Sequence, residues 1–162
     1  MQQHRFRGLF AGVLILLAAG MHAPPVDAQA APQATSQDPA AQEGMRKAIQ
    51  HYFNGQATGD ASHMRQAFAP SARIESVRDG KVTSLTLDEF CAFFKGKPAA
   101  DEASRVRTID FTDASGTAGT ARITLDYGAM VITDYFLLLK IGDEWKIANK
   151  ISHFGRRAGA SG

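Results

Sequence analysis

The chain has 162 residues, of which 44% are hydrophobic, and its formal net charge is +2. This length suffices for one domain with a single core, and so small a net charge provides no electrostatic footprint for nucleic acid or an anionic membrane surface. Cys91 is the only cysteine, which excludes an intrachain disulfide, and its apolar neighbours favour a buried, inert thiol over a nucleophile.

The first 28 residues have the layout of a secretory signal peptide. Two arginines precede an apolar stretch from Leu9 to Ala19, and small residues then form a cleavage site after Ala28 or Ala30. The apolar stretch is about half of the ~20 residues that a membrane span needs, so we expect no stable membrane anchor. We therefore predict export, either to the periplasm or out of the cell.

The rest of the chain divides into a tether, one domain and a tail. Residues 29–42 are rich in Ala, Gln, Pro and Ser and lack an apolar period, which predicts a flexible tether. Residues 43–154 carry the periodic apolar patterns of a folded domain. Residues 155–162 contain Gly, Arg, Ala and Ser, and we expect them to be frayed.

Three helices are predicted in the first half of the domain. The first has an apolar stripe of helical period that includes Tyr52, and Gly59 closes it. Pro70 ends the second helix, and Lys95 followed by Gly96 ends the third. Each helix begins at a residue whose side chain can cap it, and these residues are Asp38, Asp60 and Thr86.

Strand patterns occupy most of the remaining domain. The pair Asp79-Gly80 is a strong hairpin signal between two short strands. Three or four further strands follow Pro98, over roughly residues 105–111, 117–127, 130–140 and 145–153. Because each helix has one apolar stripe to bury, the helices must cover one face of a bent sheet. This predicts an α+β fold in which three N-terminal helices and a strongly curved antiparallel sheet enclose a pocket.

Several short segments appear in a characteristic order. They are Tyr52-Phe53, Thr58-Gly59-Asp60, Ala67-Phe68-Ala69-Pro70, Asp79-Gly80, the run from Thr133 to Lys140 and the run from Trp145 to Lys150. In this order they resemble the nuclear-transport-factor-2-like (cone-fold, SnoaL-like) superfamily, most closely its putative lumazine-binding family, over about residues 42–154. The resemblance implies a cone-shaped pocket for a small ligand. Relatives in the superfamily include ketosteroid isomerase and scytalone dehydratase as well as proteins that bind without chemistry.

Four residues are predicted to contact a ligand in this pocket. Tyr52 lies on the buried stripe of its helix, where the resemblance implies a side chain that points into the cone; a core tyrosine is the alternative. Asn149 shares a strand face with Trp145 by the period of two, and a buried amide requires partners such as a ligand. Phe68 is bulky enough either to line the cone or to fill it.

Asp134 and His153 are the candidates for acid–base chemistry. Asp134 alternates with apolar residues of its strand, and a carboxyl group in an apolar pocket suits general acid or base work. The structural alternative is an aspartate paired with an arginine such as Arg122. His153 lies near a strand end, either as a base at the mouth of the pocket or as a surface residue. The histidines have no metal-ligand spacing, so no metal site is predicted.

We therefore expect an exported domain that binds a small, partly polar organic molecule and uses no cofactor. One alternative is a cofactor-independent isomerase, dehydratase or hydrolase that uses Asp134 with Tyr52 or His153. Another is a non-catalytic dimerisation module.

A homodimer is also expected. Tyr135, Leu137 and Leu139 place apolar area on one face of their strand, and members of the superfamily that this chain resembles commonly pair through the convex face of the sheet. If both faces of the strand are apolar, one of them needs cover, which a second copy provides.

Overall fold

The structure of the protein, a computed structural model, describes residues 38–157. The predicted signal peptide, residues 29–37 of the predicted tether and residues 158–162 lie outside this range. The helices are α1 (Pro39–Thr58), α2 (Ala61–Ala67) and α3 (Leu87–Cys91), and a short 3-10 helix spans Glu102–Ser104. The strands are β1 (Phe68–Arg78), β2 (Lys81–Thr86), β3 (Val106–Ser115), β4 (Ala118–Tyr127), β5 (Met130–Ile141) and β6 (Glu144–Arg156).

The predicted capping residues do begin the three helices. The Asp38 carboxylate accepts a hydrogen bond from the backbone N–H of Ala40 at 3.0 Å, so α1 starts at Pro39. Residues 39–42, assigned to the tether on composition, are therefore helical. At the other end, β6 continues to Arg156 because that residue still pairs with Met130, so the predicted frayed tail loses its first two residues to the strand.

Helix α3 is shorter than predicted. Thr86 and Glu89 form the expected capping box, but the helix ends at Cys91 and not near Lys95. The backbone N–H groups of Phe93 and Phe94 each bond to a carbonyl three residues earlier. This tighter pattern is common where a helix runs out.

Gly59 is required where α1 passes into α2. It adopts a left-handed conformation with φ of 70°, and a Cβ at this position would lie 2.1 Å from the carbonyl oxygen of Lys97. The same close approach allows Gly96 to donate its N–H to the carbonyl of Gly59 at 2.7 Å. A side chain at residue 59 would therefore push the segment after α3 away from the first helix.

Within the described residues the six strands form one sheet in the order β2-β1-β6-β5-β4-β3. All neighbours are antiparallel except β1 and β6, which run parallel. The predicted α+β class with helices on a curved sheet is confirmed, and the parallel pair is an addition to it. That pair arises because the long chain between β1 and β6 returns the last strand alongside the first. Within the described range, no helix has both the length and the apolar character needed to cross a bilayer.

A bulge in β6 changes which of its side chains face the helices. Leu137 of β5 pairs with Asn149 and the next residue, Leu138, pairs with Ile147, which leaves Ala148 as the extra residue. Before the bulge, Trp145 and Ile147 are buried under the helices. After the bulge, Lys150 is the buried residue, whereas Ile151 and His153 are exposed. An unbroken period of two over residues 145–153, as predicted, is therefore wrong.

The core lies between the helices and the concave face of the sheet. Helix α1 contributes its stripe, including Tyr52, and the sheet contributes alternate residues of its central strands. The largest fully buried apolar side chains are Met45, Ile49, Tyr52, Met64, Phe68, Ile123, Leu125, Phe136, Leu138 and Ile147. The core does not fill the cone completely, and a cavity remains between the helices and the sheet.

Candidate functional site

A cavity of about 400 Å³ opens on the concave side of the sheet, between α1, α3 and the strands β1, β2 and β6. Its walls are mostly apolar, and polar side chains lie at its inner end and at its mouth. The lining residues include Gln56, Ile74, Leu85, Phe90, Phe93, Leu125 and Phe154. A concave, mainly apolar space with a few polar groups has the character of a small-molecule site.

Strand pairing places the lining residues in rows across the sheet. Ile74 of β1 pairs with Lys150 of β6, and two residues further along Ser76 pairs with Ser152. Ser152 in turn pairs with Asp134 of β5. The row of Ser76, Ser152 and Asp134 is polar throughout, and the neighbouring row places Lys150 beside it, because partners in register share a face of the sheet.

Asp134 is the centre of a buried polar network. Its side chain has no solvent exposure. The Lys150 ammonium donates to its Oδ1 at 2.8 Å, and the Ser152 hydroxyl donates to the same oxygen at 2.6 Å. The Tyr52 hydroxyl donates to Oδ2 at 2.8 Å. Both carboxylate oxygens are thus engaged, as a buried charge requires.

Lys150 stands between this carboxylate and the cavity. Only 5% of the residue is exposed, yet it lines the cavity while Asp134 lies behind it. Besides Asp134, the ammonium donates to the Ser152 Oγ at 2.6 Å. Its nitrogen is also 5.7 Å from the centroid of the Tyr52 ring and 5.8 Å from that of Phe90. The inner end of the cavity is therefore formed by a cation whose charge Asp134 balances.

The network extends through Tyr52 to α1 and β4. Gln56, one helical turn after Tyr52, donates from Nε2 to the Tyr52 hydroxyl at 3.0 Å, and its Oε1 accepts from the Tyr127 hydroxyl at 3.4 Å. Burial raises the pKa of Tyr52 well above its ordinary value, and the neighbouring carboxylate of Asp134 acts in the same direction. Tyr52 is thus held as a neutral hydrogen-bond donor.

Aromatic side chains and one arginine surround the outer part of the cavity. The Arg78 guanidinium lies 4.4 Å above the centroid of the Phe154 ring, a cation–π distance. Phe90 packs edge to face on Phe94 with 5.2 Å between centroids, and Phe93 is exposed at the mouth. Flat apolar surfaces therefore lead from the mouth to Lys150.

Of the four predicted ligand contacts, Tyr52 lines the cavity and the other three do not. Phe68 is a core residue that packs edge to face against Tyr52 and Phe136. Trp145 is buried before the bulge of β6, close to α1 at Gly44. Asn149 lies on the convex face and donates to Glu75 Oε2 at 3.2 Å. The Ala148 bulge explains the last misplacement, because it reverses the faces of every later residue.

The two candidates for acid–base chemistry are separated by the sheet. Asp134 is on the concave side, and its partner is Lys150 and not Arg122, which pairs with Asp110. His153 is exposed on the convex side, in a shallow groove with Tyr135 and Ile151. These two side chains therefore do not form one site.

Sequence reasoning missed Lys150, Gln56, Ser152 and Arg78. The signal for Lys150 was its alternation with Ser152 and Phe154, which matches a cavity-facing pattern only when the bulge at Ala148 is known. Cys91 is buried as expected, and burial raises the pKa of its thiol, which agrees with an unreactive side chain. In the described part of the chain, no cluster of three or more metal-ligating side chains occurs.

Comparison with known proteins agrees with this architecture. The model of the family described as putative lumazine-binding matches residues 40–153. No curated protein matches the chain. Among solved structures, an NTF2-like protein of unknown function from Shewanella baltica OS155 has a TM-score of 0.67 and 26% identity, covering 75% of this chain and 99% of that one.

Two further structures extend the comparison. An NTF2-like protein of unknown function from Methylobacillus flagellatus KT has a TM-score of 0.65 at 23% identity and covers 75% of this chain and 97% of its own. An NTF-2-like protein of unknown function from Silicibacter pomeroyi DSS-3 has a TM-score of 0.64 at 16% identity, covering 72% and 98%. At these identities the two likenesses concern the fold. Together with the family match, they confirm the resemblance that the order of segments indicated: the chain belongs to the putative lumazine-binding family of the nuclear-transport-factor-2-like superfamily.

Proposed function

We propose that the protein binds one small, partly polar organic molecule in the cavity between α1 and the concave face of the sheet. The observation that carries the proposal is the cavity of about 400 Å³ with the Lys150–Asp134 pair at its inner end. A buried ion pair at the end of an otherwise apolar space is expensive to maintain for stability alone. It offers a fixed polar group to a ligand without leaving an isolated charge.

The contacts of Asp134 support binding rather than general base catalysis. Its Oδ1 accepts from Lys150 and Ser152, and its Oδ2 accepts from Tyr52. A general base must lie within hydrogen-bond reach of the proton that it removes, whereas Lys150 separates this carboxylate from the cavity. The role that fits Asp134 is to position and neutralise the groups that face the ligand.

The first test is native mass spectrometry of the protein purified gently from the compartment in which it accumulates. We expect an adduct of small-molecule mass, and its release identifies the ligand. In parallel, lumazine, the compound in the family's name, is titrated into ligand-free protein by calorimetry. If the protein carries no adduct and lumazine gives no heat of binding, the proposed function is wrong.

A variant that blocks the cavity tests whether the ligand binds there. Leu85 on β2 lines the cavity, and Leu85→Trp is expected to occupy part of the space and abolish binding. Val82→Trp is the matched control, since Val82 is on the same strand but faces the convex groove. Equal binding by both variants would locate the ligand elsewhere.

We also propose that the protein is exported and forms a homodimer. The charged, apolar and small-residue regions of residues 1–28 support export. Tyr135, Leu137, Leu139 and Ile151 are exposed on the convex face, and their apolar area supports pairing of two copies through that face. N-terminal sequencing of the protein recovered from a bacterial periplasm tests export: a start at Gln29 or Ala31 is expected, and an intact Met1 contradicts it.

A further inference from the structure

In the hydrogen-bond network around Asp134, the hydrogens that remain unused belong to Lys150 and Gln56. An ammonium has three N–H donors, and Lys150 uses two, toward Asp134 and Ser152. The Gln56 amide has two N–H donors and uses one, toward Tyr52. The Ser152 and Tyr52 hydroxyl protons are both directed to Asp134. This network therefore offers a ligand N–H donors, and the ligand group that meets Lys150 and Gln56 must be an acceptor.

The mouth of the cavity presents the cation of Arg78. Arg78 lines the cavity and makes no salt bridge within residues 38–157. Its cross-strand partner in the β1–β2 hairpin is Lys81, and like charges directly opposite each other are unfavourable. Glu75 also borders the cavity, but its carboxylate is bonded to Asn149 on the convex side. Asp79 lies in the turn between the two cations.

The register gives the distance between the two polar ends. Lys150 of β6 is in register with Ile74 of β1. Arg78 is four residues after Ile74 on β1. At about 3.3 Å per residue, the backbone position of Arg78 on β1 is about 13 Å from that of Ile74, the partner of Lys150. Along this length the cavity is bordered by Phe90 beside Lys150, by Phe93, and by Phe154 beneath Arg78, and these rings suit a flat ring system.

We propose that the cavity selects a planar organic anion that enters with a carbonyl oxygen foremost. The carbonyl accepts hydrogen bonds from Lys150 and Gln56, the ring system lies among the three phenylalanines, and a carboxylate at the far end pairs with Arg78. This inference rests on the proposed function and adds the class and orientation of its ligand. Lys150 and Asp134 cancel each other's charge, so the inner end favours a neutral acceptor and the anion belongs at Arg78.

Three matched naphthalenes test the two ends separately. The probes are 6-acetyl-2-naphthoate, its methyl ester, which lacks the charge, and 6-ethyl-2-naphthoate, which lacks the carbonyl oxygen. Dissociation constants are measured by calorimetry at low salt. We expect the acetyl acid to bind about tenfold more tightly than either of the other two probes. The ester loses the charge-assisted hydrogen bond with Arg78, and the ethyl acid loses the one with Lys150.

Protein variants assign each preference to its residue. Arg78→Gln is expected to abolish the preference for acid over ester and to keep the preference for acetyl over ethyl. Lys150→Met is expected to do the reverse. Because Lys150→Met leaves Asp134 without its cation and the variant can fail to fold, Gln56→Leu is the second test of the inner end, with a reduced acetyl preference. Arg46→Gln, an exposed arginine on α1 that does not line the cavity, is the control for lost charge.

The outcomes separate this inference from the proposed function. Equal affinity for acid and ester, or an acid preference that survives in Arg78→Gln, overturns the inference. So does an acid preference that is lost in Gln56→Leu and kept in Arg78→Gln, since the anion then points inward. If the three probes fail to bind while a natural adduct or lumazine occupies the cavity, the inference is wrong and the proposed function stands.

Discussion

At the scale of single residues, the pair of Asp134 and Lys150 matters both for the stability of the fold and for the chemistry of the site. The two side chains are 2.8 Å apart and almost fully buried. A buried pair of this kind adds little net stability compared with well-packed apolar residues, but the loss of one partner leaves an uncompensated charge. The pair is therefore a vulnerable part of the core whose presence makes sense through the cavity that it faces.

Asp134→Asn tests this asymmetry. We expect a loss of about 3–5 kcal/mol in the free energy of unfolding, since the Lys150 ammonium keeps its charge in an apolar setting. The double variant Asp134→Asn with Lys150→Met removes both charges and is expected to recover most of the loss. Urea unfolding measures both variants. A double variant as unstable as the single one would show that shape, and not charge, determines the effect.

The pH dependence of stability is predicted to include His51 on α1. Burial lowers the pKa of His51 from 6.5, and the nearby His63 acts in the same direction. The unfolded chain therefore binds a proton at a pH where the folded chain does not. The contribution of His51 to the free energy of unfolding is present above about pH 6.5 and is lost as the pH falls through the pKa of the folded state. Unfolding at pH 7.5 and 5.0 should show a smaller decline for His51→Gln than for the unchanged protein. Identical declines would show that His51 does not contribute to the pH dependence of stability.

At the scale of elements, one extra residue in β6 decides which side chains face the cavity. The bulge at Ala148 lets Trp145 and Ile147 pack in the core and then places Lys150 and Ser152 on the same concave side. An unbroken strand would instead direct Asn149 and His153 inward. Bulges are frequent next to binding sites because they redirect a side chain without changing the fold.

Two isoleucines four residues apart on β6 test the bulge. By an unbroken period of two, Ile147 and Ile151 share a face; in the structure they are 0% and 49% exposed. Ile147→Ala is expected to cost about 2–5 kcal/mol of stability through the cavity that it leaves. Ile151→Ala, on the other side of the bulge, is expected to cost far less in urea unfolding of the monomer. Similar losses would mean that both side chains are buried and that the bulge is misplaced.

At the scale of the whole molecule, the sheet has a different task on each face. The concave face carries the core and the cavity, and the convex face exposes Leu137, Leu139 and Ile151. An exposed apolar face of this kind is typical of an association surface. A dimer formed through it would leave both cavities open on the opposite sides of their sheets.

Leu137→Glu is predicted to weaken the proposed homodimer. Leu137 is 59% exposed, so the substitution is expected to preserve the fold but to place a charge within the apolar contact. Analytical ultracentrifugation should show dissociation at concentrations where the unchanged protein is dimeric, with the circular dichroism spectrum unaltered. Phe93→Glu, at the cavity mouth, provides the control and should leave the mass unchanged. If the unchanged protein sediments as a monomer, the dimer proposal is wrong.

The sequence by itself determined the order of elements and the class of fold. Helix caps such as Asp38 and Thr86, the Asp79-Gly80 turn and apolar periods are local signals, and they act within a few residues of where they occur. The family resemblance also followed from the order of such segments. Helical geometry placed Tyr52 on the buried stripe of α1, and the resemblance implied that its side chain points into the cone.

The tertiary structure alone decided the composition of the site. Whether Asp134 meets an arginine or a lysine, and whether Asn149 or Lys150 faces inward, depends on strand register and on the bulge at Ala148. Register is set by pairing between segments that are distant in the chain, as for Ile74 with Lys150, and a shift of one residue exchanges the two faces of a strand. Local patterns contain no information on that pairing, which is why the fold was predictable and most of its site was not.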